Sequence, residues 1–158
     1  MVVSFDGRYL AIGGVDRYVH LWDTRTLKHI QAFRGHGGAV SCLAFRKGTQ
    51  QLISGSFDRT IKLWSAKDRA YMDTLYGHQS EILAVDCLRK ERVLSVGRDH
   101  TLRLWKVPEE TQLVFKGHAA SLECCCFINN EDFLFGSDDG SIELWNMLRW
   151  PIDSLLFS

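Results

Sequence analysis

The sequence predicts an all-β chain assembled from four copies of one small antiparallel sheet. The prediction rests on three markers that share a period: tryptophans, aspartates and Gly-His pairs. Trp22, Trp64, Trp105 and Trp145 are spaced 42, 41 and 40 residues apart. They sit in the similar phrases YVHLWD, TIKLWS, TLRLWK and SIELWN, and six residues before each stands an aspartate: Asp16, Asp58, Asp99 and Asp139. Gly35-His36, Gly77-His78 and Gly117-His118 recur at 42 and 40 residues. Self-similarity at such a period marks an architecture whose units bury their apolar faces only by stacking on one another.

Each period reads as four short strands separated by turn residues. In the second repeat the first strand is AVSCLAF (39–45), and a turn follows at Arg46-Lys47-Gly48. QLISGS (51–56) is the second strand, Asp58-Arg59 the next turn, TIKLW (60–64) the third strand and AYMDTLY (70–76) the fourth. The third strand alternates, with Ile61 and Leu63 on one side and Lys62 and Trp64 on the other, which is the strand period of two. Leu102 and Leu104 against Arg103, then Ile142 and Leu144 against Glu143, repeat the pattern. The repeats run roughly over 1–33, 34–75, 76–115 and 116–148, and 149–158 forms a divergent tail. The first repeat, opening at SFDGRYLAIGG, is expected to lack its first strand and Gly-His, and RWPIDSLLFS supplies only a poor last strand.

Composition narrows the classes of function. The 158 residues are 46% hydrophobic and 24% charged, with two prolines, which fits a packed domain rather than a disordered chain. No apolar run approaches the roughly 20 residues that span a bilayer. Formal net charge is zero, which argues against indiscriminate nucleic-acid binding. The charge is unevenly spread: residues 46–106 carry 12 basic and 7 acidic side chains, residues 107–158 carry 2 and 9. Solvated surface is the plain explanation of such runs. An odd set of five cysteines without a CxxC pair points to a reducing compartment.

The Gly-His and Trp-Asp landmarks at this spacing resemble the WD-repeat (WD40) family. That resemblance covers nearly the whole chain and implies a β-propeller, here about 3.5 to 4 four-stranded blades of a presumed seven. The expectation is therefore a piece of a longer protein; pairing of two copies to complete a ring is the alternative.

The recurring polar residues suit a hydrogen-bonded set within each blade, because buried polar groups are costly unless paired. The expected sets are His36, Asp58, Trp64 and a serine (Ser54 or Ser56); His78, Asp99, Trp105 and Ser95; and His118, Asp139, Trp145 and Ser137. His, Asp and Ser invite comparison with a catalytic triad. A trio that recurs three times at one period is read instead as scaffold, and no phosphate loop, nucleophile elbow or zinc motif accompanies it. No catalytic residue, metal, cofactor or small-molecule substrate is expected. The cysteines Cys42, Cys124 and Cys126 fall in columns of mostly small residues and are expected to be buried and inert; zinc binding by Cys124, Cys126 and His118 lacks the usual spacing.

Outside the shared landmarks, FRGHGGAVSCLAFRKGTQQLISGSFDRTIKLW, KVPEETQLVF, DCLRKERVL and SLECCCFINNEDFLFGSDDGSIELW resemble the WD-repeat proteins of the U3 small nucleolar ribonucleoprotein, in their plant form. The resemblance implies a nucleolar protein of the nucleus that works with U3 small nucleolar RNA and box C/D proteins in pre-ribosomal RNA processing and small-subunit biogenesis. Partners would meet one rim of the propeller, formed by the residue before each turn aspartate and the start of each first strand. Those positions are Val15, Phe57, Arg98 and Asp138, with Glu81, Leu83, Ser121 and Glu123; Phe57 and Arg98 are the strongest anchors. Arg46, Lys47, Arg89, Lys90 and Arg92, on turns between first and second strands, are second candidates for phosphate contact. Leu21-Trp22-Asp23-Thr24-Arg25 also resembles the WDxR signature of ubiquitin-ligase substrate adaptors, the competing expectation.

Overall fold

The computed structural model describes residues 1–88, 92–116 and 121–147. Four antiparallel sheets follow one another along the chain, each a simple meander. The first contains β1 (Val2–Val3), β2 (Tyr9–Gly13), β3 (Val19–Asp23) and β4 (His29–Phe33). The second contains β5 (Val40–Phe45), β6 (Gln51–Ser56), β7 (Thr60–Ser65) and β8 (Ala70–Tyr76). β9 (Ile82–Cys87), β10 (Arg92–Gly97), β11 (Thr101–Lys106) and β12 (Thr111–Lys116) make the third. β13 (Leu122–Phe127), β14 (Asp132–Ser137) and β15 (Ile142–Asn146) make the fourth.

One expectation needs correction here. The first repeat does not lack its first strand: Val2 and Val3 pair with Ala11 and Leu10 as a short β1. Two residues with no alternation to display leave nothing for a period-two pattern to register. The tail 149–158 lies outside the described residues.

Strands on a meander have two faces, and here both are used. Ala11, Val19 and Leu21 of the first sheet pack with Val40, Leu52 and Trp64 of the second. On the other side of that second sheet, Ile53, Ile61 and Leu63 meet Ile82, Val85 and Trp105 of the third. Leu94, Leu102 and Leu104 then meet Leu122, Phe127 and Phe133 of the fourth. The alternation of β7 is thus resolved: Ile61 and Leu63 look forward to the next sheet, Trp64 back to the previous one. The first strands β1, β5, β9 and β13 adjoin in order, so the sheets stack like the sectors of a propeller.

Recurring turn geometry sets the sheets in register. After each turn aspartate comes a residue in the left-handed region: Arg17, Arg59, His100 and Gly140, with φ of 70°, 73°, 57° and 84°. The aspartate makes this tolerable by accepting the backbone N–H two residues on, from Tyr18, Thr60, Thr101 and Ser141. Each first strand from the second sheet on carries a register shift that leaves Ser41, Leu83 or Glu123 unpaired at its start. Such bulges turn a side chain away from the ladder. Ser41 uses the freedom to donate to the Ile82 carbonyl of the next sheet, at 2.5 Å.

Sheet-to-sheet packing is tight at Gly55, where an added Cβ would stand 2.6 Å from Cys42 Sγ and 2.8 Å from Ile82 Cγ2. Gly55→Val is expected to lower unfolding free energy by about 1–3 kcal/mol, read as an earlier urea midpoint. Gly14→Ala, with nothing within 4 Å of the new methyl, should leave the midpoint nearly unchanged.

Candidate functional site

In the second sheet the loop entering the blade, the middle strand and the turn between β6 and β7 converge on one hydroxyl. Trp64 Nε1 donates to Ser54 Oγ at 2.8 Å, and Ser54 Oγ lies 2.7 Å from His36 Nε2. His36 Nδ1 stands 2.9 Å from Asp58 Oδ2. The proton order follows from chemistry. A carboxylate only accepts, so His36 Nδ1 carries a proton; its Nε2 then accepts from Ser54, and Ser54 accepts from the indole. The third sheet repeats this with Trp105 Nε1 2.9 Å from Ser95 Oγ, Ser95 2.8 Å from His78 Nε2, and His78 Nδ1 2.9 Å from Asp99 Oδ2. Asp58 also accepts from the Gly37 N–H and Asp99 from the Gln79 N–H, both at 2.8 Å, which pins the entering loop.

Ser54, rather than Ser56, is the serine of this set; Ser56 donates instead to the Gly38 carbonyl. The fourth sheet departs from expectation. Phe135, buried at 4%, occupies the place of Ser54 and Ser95, ten residues before the tryptophan. Ser137 therefore joins no indole; it bonds Asp139 at 2.6 Å, and Trp145 Nε1 donates to Glu143 Oε2 at 3.0 Å. His118 lies outside the described residues.

Ionisation accompanies this geometry. Burial alone would raise the Asp58 and Asp99 carboxyls. Hydrogen bonds override it: His36, Thr60 and the Gly37 N–H hold Asp58 well below the usual carboxylate range. Thr101, the Gln79 N–H and His78 likewise hold Asp99 down. Burial pushes the His78 imidazole below its ordinary range, partly offset by the Asp99 charge. Exposed Asp139 sits at about 2 through bonds from Ser137 and Ser141.

His, Asp and Ser stand at triad distances, yet Ser54 and Ser95 are 0% exposed and each already accepts an indole N–H. No carbonyl carbon can reach either oxygen, so the arrangement holds a fold together. The cysteines are more varied than expected. Burial raises the thiols of Cys42 to about 11 and Cys87 to about 12, but Cys124 and Cys126 are exposed, because no further described sheet covers the outer face of β13.

The rim residues fall into two groups. Arg98 lies with its guanidinium 5.8 Å from the centre of the Phe57 ring and 3.7 Å from the Glu81 carboxylate. Phe57 is 43% exposed, so this aromatic and cation bridge the second and third sheets in contact with solvent. On the fourth sheet, Asp138 Oδ1 accepts from the Ser121 N–H at 3.0 Å, and Ser121 Oγ donates to Glu123 at 3.4 Å. Leu83 behaves differently: it is half-buried against the core between the third and fourth sheets. Backbone bonds from Phe57 to Ala39, Arg98 to Glu81 and Asp138 to Ser121 clamp the turns to the first strands.

Antiparallel order puts the turn that bears Arg46 and Lys47 at the opposite end of the sheets. There Arg46 bonds Gln51, and Arg92 reaches the Asn130 carbonyl at 3.1 Å; Arg89 and Lys90 lie outside the described residues. Asp23 of the WDxR-like phrase accepts from the Arg25 and Thr26 N–H groups, a local reason for an aspartate there.

These sheets, turns and hydrogen-bonded chains define the class of protein. The WD domain, G-beta repeat family matches residues 1–23, 27–65, 70–106 and 109–146, and the chain belongs to the WD-repeat family. Within it, the chain is 57% identical over 149 residues to an Arabidopsis thaliana U3 snoRNP-associated protein-like protein, covering 94% of this chain and 31% of that protein. It is 46% identical over 150 residues to human U3 small nucleolar RNA-interacting protein 2, covering 94% of this chain and 32% of that one. A crystal structure of RRP9 WD40 repeats superposes with a TM-score of 0.90 at 45% identity, covering 93% of this chain and 45% of that one. The chain thus spans about a third of these curated relatives and under half of the solved chain.

Ser95→Ala strands two buried nitrogens and is expected to cost roughly 1–3 kcal/mol, whereas Arg98→Ala, on an exposed pair, should cost under about 0.5 kcal/mol; urea unfolding of both variants distinguishes them. Stability should also fall with pH in two stages. Below the ordinary histidine range of about 6.5 the unfolded chain takes up a proton that folded His78 resists. Below about pH 4 the unfolded carboxylates protonate while Asp58 and Asp99 remain ionised. Urea midpoints at pH 8, 5 and 3 should decrease in that order.

Proposed function

We propose that this chain acts as a non-catalytic WD-repeat scaffold of the U3 small nucleolar ribonucleoprotein, serving pre-ribosomal RNA processing and small-subunit biogenesis in the nucleolus. The observation that carries the reading is identity of 57–60% with three plant U3 snoRNP-associated protein-like proteins, each over 94% of this chain. Buried, mutually satisfied His-Asp-Ser-Trp chains support a structural rather than catalytic use of the recurring polar residues. Partners are U3 small nucleolar RNA, box C/D proteins and other proteins that dock on the propeller face.

In this reading the contact surface is the rim around Phe57, Arg98 and Glu81, continued by Asp138 and Glu123. Aromatic and arginine side chains dominate binding hot spots, and an exposed arginine beside a ring can stack on a base or pair with phosphate. Leu83 contributes by supporting the first strand beneath the rim. His36, Asp58 and Trp64, with His78, Asp99 and Trp105, hold the turns that present it on the second and third sheets, and Asp139 braces the turn of the fourth through Ser137 and Ser141.

The test is immunoprecipitation of the tagged protein from nuclear extract followed by sequencing of bound RNA. U3 small nucleolar RNA should be enriched over other box C/D RNAs, and the Phe57→Ala/Arg98→Ala double variant should lose most of that enrichment while keeping its urea midpoint. Absence of U3 enrichment from the unaltered protein would sink the reading.

A further inference from the structure

His20 on β3 and His29 on β4 occupy a solvent-facing corner of the first sheet. Their rings are 5.3 Å apart, and His20 Nδ1 lies 3.1 Å from His29 Nε2. The other nitrogen of His20, Nε2, stands 2.6 Å from Asp16 Oδ2. An ionised carboxylate can only accept, so Nε2 carries a proton, and in the neutral imidazole Nδ1 then turns its lone pair toward His29. Two ring nitrogens at this distance need something between them, either one proton or a cation. At metal–nitrogen lengths of about 2.1 Å, two ligands of one ion sit roughly 3.0–3.4 Å apart, which brackets the observed separation. Metal-bound histidines characteristically give their other N–H to a carboxylate, the part Asp16 plays.

The position is singular among the blades. His20 stands two residues before its tryptophan, where the other repeats have Lys62, Arg103 and Glu143. The constellation is therefore no part of the recurring scaffold. Nor does the scaffold role of the turn aspartate exclude it: Asp99 holds His78 at 2.9 Å with Arg103, the counterpart of His20, 3.9 Å away. Trp22 packs edge-on against His29 at 5.1 Å and walls the inner side, while exposed His29 is free to tilt toward an ion.

We propose that His20 Nδ1 and His29 Nε2 form a surface site for one divalent transition-metal ion, with Asp16 orienting His20 from outside the coordination shell. No group of three or more His, Cys, Asp or Glu side chains capable of holding a metal occurs among the described residues. Water or a partner's donor fills the remaining positions, so the site is open and exchangeable rather than structural.

Ni(II) is the suitable probe, because it favours imidazole over soft thiolate competitors. Calorimetric titration of the purified chain should give one saturable equivalent, accompanied by quenching of tryptophan fluorescence that disappears in Trp22→Phe. Exposed His29→Ala should weaken binding at least tenfold, and Asp16→Asn severalfold. Absence of saturable binding to the unaltered chain, or unchanged affinity in either His29→Ala or Asp16→Asn, overturns the assignment.

Discussion

A buried indole N–H that must find an acceptor organises each of the middle blades. Trp64 lies 1% exposed between two sheets, where water cannot serve it. Ser54 accepts its proton, and the serine's own proton goes to His36, whose second nitrogen gives its proton to Asp58. The chain of donors crosses from a middle strand to the loop entering the blade and on to the turn between β6 and β7. Loop, strand and turn, spread over residues 36–64, are thereby held by groups that are each costly to leave unpaired. Removing one member strands its neighbours, which is why such networks act together.

The rest of the molecule depends on those clamped turns. With the turn aspartate fixed, the next residue takes up a left-handed conformation without a glycine in three of four cases. The preceding residue is then presented to solvent at the start of the neighbouring first strand. Phe57 and Arg98 occupy this place on successive blades, and the close stacking of the sheets brings their side chains together. A network closed to solvent thus holds in place a pair of side chains open to it.

Where one member of the network changes, the local chemistry changes with it. Phe135 in place of a serine removes the acceptor from the fourth blade, and Trp145 turns to Glu143. The first blade keeps its turn aspartate but directs it to a half-buried strand imidazole, His20, rather than to a buried loop histidine. A repeat architecture permits such departures because each blade satisfies most of its own polar groups and shares mainly apolar contact with its neighbours.

The repeat, the strand alternation and the turn aspartates were legible in the sequence because they rest on period and local chemistry. His36, Asp58 and Trp64 could be grouped by counting alone, because each recurs at the same place in successive repeats. Other features were decided only in three dimensions. Ser54 and Ser56 share one face of β6, so which of them receives the indole depends on the strand register, which pairs Trp64 with Leu52 and leaves Ser54 within its reach. The two-residue β1 was invisible because pairing with β2, rather than its own composition, makes it a strand. Contact between Phe57 and Arg98, and between His20 and His29, depends on bulges, strand register and the stacking of sheets. Those are relations between elements, set by how apolar faces close against one another, and no single segment of sequence encodes them.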